Sequence, residues 1–234
     1  MTIKRFIKAK YIYLIVFLII FFAVIAVRMF VGEPCNVPSA SMKPTIIIGD
    51  WLWIDKTTYG ARLPRRFADM PIINVFTWIK PLRLADERND WGINRLKGKR
   101  MPRIGDLAVF ESPEFPHPLL VKRIAARIKT GDTIVINEKN YYDLYHIVYN
   151  EGNKMFMRDD SVFINGRPDS LCIVSQPYYY MLGDNSKNSH DSRAFGYIPY
   201  TSIVGRINFV LFSMNTDNMF IDFIQWDRFL KKIK

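Results

Sequence analysis

An uninterrupted apolar run near the N-terminus constrains the fold of this chain more than any other feature. Residues Tyr11 through Val27 are all apolar or aromatic, and after Arg28 the run continues to Val31. A helix rises about 1.5 Å per residue, so this run would measure about 30 Å, the thickness of a bilayer's hydrocarbon core. Arg28 lies close enough to the end to place its charge at the interface. The run therefore predicts a transmembrane anchor over residues 11–31.

The residues on either side of the run predict its orientation. Lys4, Arg5, Lys8 and Lys10 precede it, and the first ten residues contain no acid, which favours a cytoplasmic N-terminus. The exit, Arg28 to Pro34, is bulky and lacks the small residues of a signal-peptide cleavage site. We predict a basic cytoplasmic tail over 1–10, an uncleaved anchor in the plasma membrane, and an extracytoplasmic domain over 32–217.

Composition and charge narrow the classes of partner. Hydrophobic residues make up 49% of the chain, enough for a sizeable core, and the formal charge of +11 favours an anionic partner. The sequence contains no zinc-finger spacing and no RNA-binding strand motif, so we expect an anionic membrane surface rather than nucleic acid. Cys35 and Cys172 form no C-x-x-C pair, and we expect two unpaired thiols.

The region after the anchor has the pattern of a mainly β, antiparallel domain. Short apolar runs alternate with Gly-Asp and Pro turns, and Asn165-Gly166 is typical of a hairpin. The predicted strands are Trp51–Asp55, Leu107–Phe110, Leu119–Ile124, Thr133–Ile136, Ser161–Ile164, Tyr178–Leu182 and Ile203–Phe212.

Two segments do not follow this alternation of short apolar runs and turns. An insertion over about residues 62–103 is rich in Pro, Arg and Trp and contains an apolar patch, which either packs on the domain or enters the lipid. The C-terminal segment 218–234 carries Phe223, Trp226 and Ile233 on one helical stripe and Arg228 and Lys232 opposite. That spacing predicts an amphipathic helix with a basic end.

The stretch from Pro38 to Thr45 is a candidate nucleophile site. Ser39 and Ser41 lie one residue apart between two prolines, which stiffen the backbone and favour extended geometry. Alternate side chains of an extended segment face the same side. One serine can then act as a nucleophile while the other donates a hydrogen bond beside it. By composition alone, the stretch is equally compatible with a polar turn after the anchor.

Three catalytic arrangements are compatible with the polar residues. Ser189, His190 and Asp191 have the residue types of a catalytic triad, but adjacent side chains diverge rather than converge. Asp184 and Asp191 supply carboxylates without the His or Cys that zinc prefers, and Gly-Asp-Asn is also strong turn chemistry. Lys122 lies in an apolar run, and as a base it would need a pKa well below the ordinary value of about 10.4. From composition alone, a solvent-facing strand lysine is favoured over a buried base.

Four stretches together resemble bacterial type I signal peptidases. The first and last are long and highly specific, and the anchor precedes them in the family's order. The stretches are Ser39–Thr45, Gly49–Lys56, Lys122–Arg123 and Gly183–Gly196.

The resemblance implies a role for each motif residue. Ser41 would be the nucleophile and Lys122 its general base, with the Ser39 hydroxyl and the Ser41 N–H forming the oxyanion hole. Ser189 would orient the lysine amine. Further implied roles are an ion pair between Asp191 and Arg193, close backbone approach to Lys122 at Gly183, and substrate contacts from Val37, Pro38, Met42, Leu120 and Val121.

The resemblance also implies the reaction. The expected activity is removal of signal peptides from exported preproteins through an acyl-enzyme, with no metal or cofactor, beside membrane lipid and near the translocation machinery. After Arg123 the family's Gly-x-Pro-Gly-Asp turn is absent, so strand Leu119–Ile124 is free to continue further. The alternatives are a specialised relative, such as a pilin-maturing conjugation protease, and a membrane-anchored β domain that binds peptides without cutting them.

Overall fold

The computed structural model describes residues 2–71, 73–159, 161–215 and 223–233. Its α-helices are Thr2–Ala26 (α1), Lys80–Glu87 (α2), Tyr141–Asn150 (α3) and Ser192–Phe195 (α4), and Val27–Val31 continues α1 as a wider π-helical turn. Short 3-10 turns cover Phe67–Asp69, Ile73–Trp78, Ser186–Asn188, Tyr200–Ser202 and Trp226–Arg228. The strands are Gly32–Asn36 (β1), Asp50–Asp55 (β2), Leu107–Glu111 (β3), Leu119–Ile128 (β4), Thr133–Val135 (β5), Met155–Arg158 (β6), Ser161–Ile164 (β7), Arg167–Pro168 (β8), Leu171–Ile173 (β9), Tyr178–Leu182 (β10), Ile198–Pro199 (β11) and Ile203–Ser213 (β12).

The apolar N-terminal run forms a helix that the rest of the protein leaves uncovered. Tyr11–Val31 has a mean hydropathy of 3.0 and contributes no residue to the domain core. Within the described ranges it is the one helix long and apolar enough to cross a bilayer. A single apolar helix thus precedes the β domain, as the sequence predicts.

One curled sheet organises the main lobe. Its strands lie in the order β1-β2-β12-β3-β4-β10-β11, and the strand pairs found in the described residues are antiparallel. One core, with Leu52, Leu107 and Val210 buried in it, fills the space between the sheet and the β1–β2 connection. A second cluster around Phe110 and Met181 packs on the other part of the sheet. The mainly antiparallel β class is confirmed.

A smaller lobe follows β4. Strand β5 pairs with β9, and β6, β7 and β8 form a three-stranded sheet beside α3. Leu144, Ile147 and Val148 of α3 are buried against these strands at helical spacing. The predicted hairpin is present, because Asn165 and Gly166 both have positive φ between β7 and β8. No element was predicted for α3.

The predicted strands are all present, with small changes at their ends. β5 stops one residue early, and β4 continues to Ile128, as the missing Gly-x-Pro-Gly-Asp turn permits. The additional strands β1, β6, β8, β9 and β11 are mostly short, so their alternation is too brief to detect. Cys35 and Cys172 are both free thiols, as expected.

The prediction of a C-terminal amphipathic helix is wrong for the part of the segment that the structure describes. Residues 223–233 contain one 3-10 turn and otherwise run extended beside β12, with Val210 N–H bonded to Lys231 O at 2.8 Å and Ile233 N–H to Asn208 O at 3.0 Å. β3 pairs with β12 only up to Ile207, so the backbone groups further along β12 are available to this segment, and bonding them outweighs local helix formation. Residues 218–222 and 234 lie outside the described ranges.

Candidate active site

The nucleophile candidate lies on the connection between β1 and β2. Residues 41–45 form a turn rather than the predicted extended segment, with the Lys43 N–H bonded to Ala40 O at 3.1 Å. The two hydroxyls nevertheless meet, since Ser39 Oγ lies 3.3 Å from Ser41 Oγ. Met42 is 1% exposed and fastens the turn to the core beneath it.

Lys122 on β4 points directly at this turn. The Lys122 Nζ donates a hydrogen bond of 2.6 Å to Ser41 Oγ, and the side chain is only 2% exposed. Lys122 lies opposite Ala108 of β3. Burial lowers the pKa of the Lys122 amine; the negative charge of Asp191 opposes this shift, and the positive charge of Arg193 adds to it.

The loop after β10 closes the site from behind. The Asp191 carboxylate is fully buried and accepts hydrogen bonds from the Gly183 N–H at 2.9 Å and from Arg193 Nε at 2.8 Å. Burial by itself would raise the pKa of Asp191, but the hydrogen bonds from Arg193 and Gly183 outweigh it and hold the pKa well below its usual range. The implied Asp191–Arg193 ion pair is formed, at 2.8 Å.

Two details concern the roles that the resemblance implies for Ser189 and Gly183. The Ser189 hydroxyl is buried and forms no hydrogen bond to the Lys122 amine within the described ranges; it acts instead on the Asp191 carboxylate, whose pKa it helps to lower. A Cβ on Gly183 would lie 2.1 Å from Ser189 Oγ and 2.7 Å from Ser41 O. The glycine therefore makes room for Ser189 and the Ser41 backbone, and its close approach to Lys122 stays a prediction.

Several further residues join the nucleophile turn to the last loop. The Asn185 N–H bonds Ser41 O at 3.0 Å, and Asn185 Nδ2 bonds Ala40 O at 3.1 Å. Thr45 Oγ1 donates to the Asp184 carboxylate, which also accepts from Arg123 Nε at 2.8 Å. All of these residues lie in the stretches that resemble signal peptidases, but their residue types alone do not show which of them form hydrogen bonds with one another.

The residues of the other two candidate arrangements, the Ser-His-Asp triad and the metal site, do not come together in the structure. His190 is exposed and its Nε2 lies 2.6 Å from Glu114 Oε2, so its partner is neither Ser189 nor Asp191. The Asp184 carboxylate accepts hydrogen bonds from Arg123 and Thr45. The described residues contain no cluster of three or more His, Cys, Asp or Glu side chains that could hold a metal ion.

An open strand edge lies beside the lysine. β10 pairs with β4 only from Arg123 to Ile128, whereas β3 covers the other side from Leu119 to Arg123. The backbone at Leu120 and Val121 therefore has a sheet neighbour on one side only within the described part of the chain. An extended peptide can add to such an edge by main-chain hydrogen bonds.

A buried ion pair supports the nucleophile turn from below. Arg228 of the C-terminal segment donates from Nε to Asp50 Oδ1 at 2.8 Å, and its Nη2 reaches Thr45 O at 3.3 Å. Asp50 also accepts from the Ile47 N–H at 3.0 Å. The sequence pattern predicts Arg228 on the polar face of a helix, and nothing in it indicates this contact.

Comparison with known proteins identifies the family. A family model described as signal peptidase, peptidase S26, matches residues 8–212. The chain belongs to this signal peptidase family. Three similar curated proteins are each named signal peptidase I. The one from Aquifex aeolicus is 27% identical over 83% of this chain and 81% of its own length. The one from Pseudomonas aeruginosa is 27% identical over 80% of this chain and 67% of its own length. The one from Helicobacter pylori J99 is 23% identical over 90% of this chain and 89% of its own length.

Membership of the signal peptidase family makes the chain a serine endopeptidase by class, and the resemblance in the motif stretches is confirmed. The match includes the apolar helix from residue 8 onward, which supports membrane anchoring. Val37 and Met42 are core residues at 5% and 1% exposure, whereas Pro38 is exposed and Leu120 and Val121 are partly exposed. Substrate contact by these five residues stays a prediction.

Proposed function

We propose that this chain removes N-terminal signal peptides from exported preproteins with Ser41 as nucleophile and Lys122 as general base. The observation that carries the proposal is the 2.6 Å hydrogen bond between Lys122 Nζ and Ser41 Oγ at a buried lysine. A serine hydroxyl is a weak nucleophile unless a neighbouring base takes its proton. Burial makes the lysine able to do so, because it favours the neutral amine.

The reaction proceeds in two stages. Neutral Lys122 accepts the proton of Ser41 Oγ as that oxygen attacks the scissile carbonyl carbon. The resulting oxyanion is stabilised by the Ser39 hydroxyl and the Ser41 N–H, and the ammonium of Lys122 then protonates the leaving amine. An acyl-enzyme remains on Ser41, and Lys122 deprotonates the water that hydrolyses it.

The fold supports this chemistry in two ways. The preprotein would lie extended along the open edge at Leu120–Val121 and beside Pro38, with small residues preferred at the cut. The domain would face the side to which preproteins are exported, since the basic N-terminus favours the cytoplasm. The anchor then holds the enzyme where preproteins emerge, near the translocation machinery, which raises their effective concentration.

The test is cleavage of a model preprotein by the purified full chain in detergent. Wild type should release the signal peptide, whereas Ser41→Ala and Lys122→Ala should not. His190→Ala is the matched control, because His190 lies in the same loop as Asp191 but pairs with Glu114, and it should retain most activity. An inactive wild type would favour a peptide-binding domain. Activity in Lys122→Ala together with loss in His190→Ala would overturn the dyad.

A further inference from the structure

A cavity of about 730 Å³ extends across one end of the main sheet. On the sheet side it is lined by residues at the same end of five neighbouring strands, β1, β2, β12, β3 and β4. These residues are Glu33, Lys56, Val204, Glu111 and Leu119, with His117 just before β4. Side chains between positions 62 and 75 of the insertion form the other wall. Both walls are therefore built by the folded β domain.

The cavity connects the open strand edge with the end of the apolar helix. It includes Leu119, the residue at which the open edge of β4 begins, and it includes Arg28 and Met29 at the helix end. If α1 spans the bilayer, Arg28 and Met29 lie at the surface of the leaflet from which the helix emerges. The cavity then provides a route from that surface toward Ser41 and Lys122.

This route sets the direction in which a preprotein would lie. The apolar part of a signal peptide precedes the cut and belongs near the membrane, whereas the exported part follows the cut. The segment before the cut would therefore run along β4 from the cavity at Leu119 to the scissile bond at Lys122. At about 3.3 Å per residue of extended chain, about the fifth to seventh residues before the cut would lie in the cavity.

The cavity lining carries a net positive charge. It contains five Lys and Arg residues against three Asp and Glu residues. Arg28 and Lys56 both pair with Glu33, at 3.1 and 2.9 Å, and Arg62 pairs with Glu111 at 2.9 Å. Two carboxylates thus already compensate three of the cations.

Arg66 is the cation of the lining best placed to meet a ligand. Its side chain is exposed, and no ion pair joins it to a carboxylate in the part of the chain that the structure describes, whereas its neighbour Arg65 pairs with Asp90. A guanidinium offers five N–H donors in a planar fork that matches a carboxylate. An acidic side chain of a peptide is therefore the partner that Arg66 would favour, and a basic one would be repelled.

We propose that this cavity holds the segment of the preprotein before the cut and that Arg66 selects there for an acidic side chain and against a basic one. The proposal rests on the proposed function for the identity of the peptide. Arg66 stands in the insertion, outside the motif stretches, so the preference would belong to this chain's own insertion rather than to the catalytic motifs.

The test measures binding of a model preprotein to the full chain carrying Ser41→Ala in detergent, so that no cleavage disturbs the equilibrium. Glu or Lys is placed in turn at each of the positions expected in the cavity. We expect Glu to bind roughly 3- to 20-fold more tightly than Lys at the position that meets Arg66, because one charge attracts and the other repels. Adding Arg66→Glu should reverse this preference, and the milder Arg66→Gln should reduce it.

The matched control is Arg88→Glu in the same background. Arg88 is also an exposed arginine of the insertion, but it does not line the cavity, and the substitution changes the net charge by the same amount. This variant should keep the preference for Glu. Loss of the preference in Arg66→Glu and Arg88→Glu alike would indicate a long-range charge effect and would overturn the proposal.

The remaining outcomes also decide the question. Equal affinity for the Glu and Lys preproteins at every position, a preference that Arg66→Glu leaves unchanged, or no binding of either preprotein would each overturn the proposal. Cleavage of the same preproteins by the wild-type chain is measured in parallel. Cleavage without discrimination in binding would leave the proposed function intact and reject the role of Arg66. Discrimination without cleavage would support the role of Arg66 and reject the proposed function.

Discussion

At the scale of single residues, a Ser39 variant tests whether the Ser39 hydroxyl stabilises the transition state or only helps to bind the substrate. Its hydroxyl lies 3.3 Å from Ser41 Oγ and belongs to a solvent-exposed residue, so truncation should not disturb the core. Ser39→Ala should lower kcat roughly 10- to 1000-fold with little change in KM, because an oxyanion donor acts mainly in the transition state. Steady-state kinetics on a model preprotein measure both constants. Ser39→Thr keeps a hydroxyl and is the control; unchanged kcat in Ser39→Ala would reject the role.

The pH dependence of cleavage should report Lys122. Only its neutral amine can accept the Ser41 proton, so kcat/KM should rise with pH and level off above the pKa of the lysine in the free enzyme. Because burial lowers that pKa, the rise should be centred below about 10.4, the value of an exposed lysine. A pH–rate profile measures it.

The variant Lys122→Arg tests the same group by a different route. Guanidinium does not give up its proton in proteins, so this variant should be inactive at every pH although it retains the positive charge. A folded Lys122→Arg protein with wild-type turnover would show that the amine is not the base. Circular dichroism in detergent confirms that each variant is folded.

At the scale of elements, the C-terminal segment stabilises the turn that carries the nucleophile. Arg228→Met would leave the fully buried Asp50 carboxylate without its partner. Breaking a buried pair costs on the order of 3–5 kcal/mol, so the melting temperature should fall clearly. The matched control is Arg83→Met, which removes an exposed ion pair with Glu87 and should cost less than about 1 kcal/mol. Equal melting temperatures in the two variants would contradict a stabilising role for Arg228.

At the scale of the whole molecule, the orientation of the anchor decides whether the enzyme can meet its substrate. The basic residues before Tyr11 predict that everything after Val31 lies outside the cytoplasm. Protease added to intact spheroplasts should therefore digest the β domain and leave the anchor fragment, as detected by immunoblotting against each end. A domain that is protected until the cells are lysed would lie inside and would contradict export-side function.

Much of the architecture could be predicted because its signals are local. The apolar run encodes the helix, and alternation bounded by Gly and Pro encodes strands such as β2, β3 and β10. The same logic failed for residues 223–233, where helical spacing of apolar residues accompanies an extended segment. There, backbone groups that β12 leaves free supply hydrogen bonds that periodicity cannot anticipate.

The sequence by itself therefore determined the membrane helix, the antiparallel β class and the family, because each rests on residues that are neighbours in the chain. Only the tertiary structure decided that Ser41 and Lys122 touch, that Ser189 points at Gly183, and that Arg228 pairs with Asp50. These partners are separated by up to 178 positions in the chain. Their pairing depends on how the sheet curls and on which groups are buried together, and no local pattern encodes that.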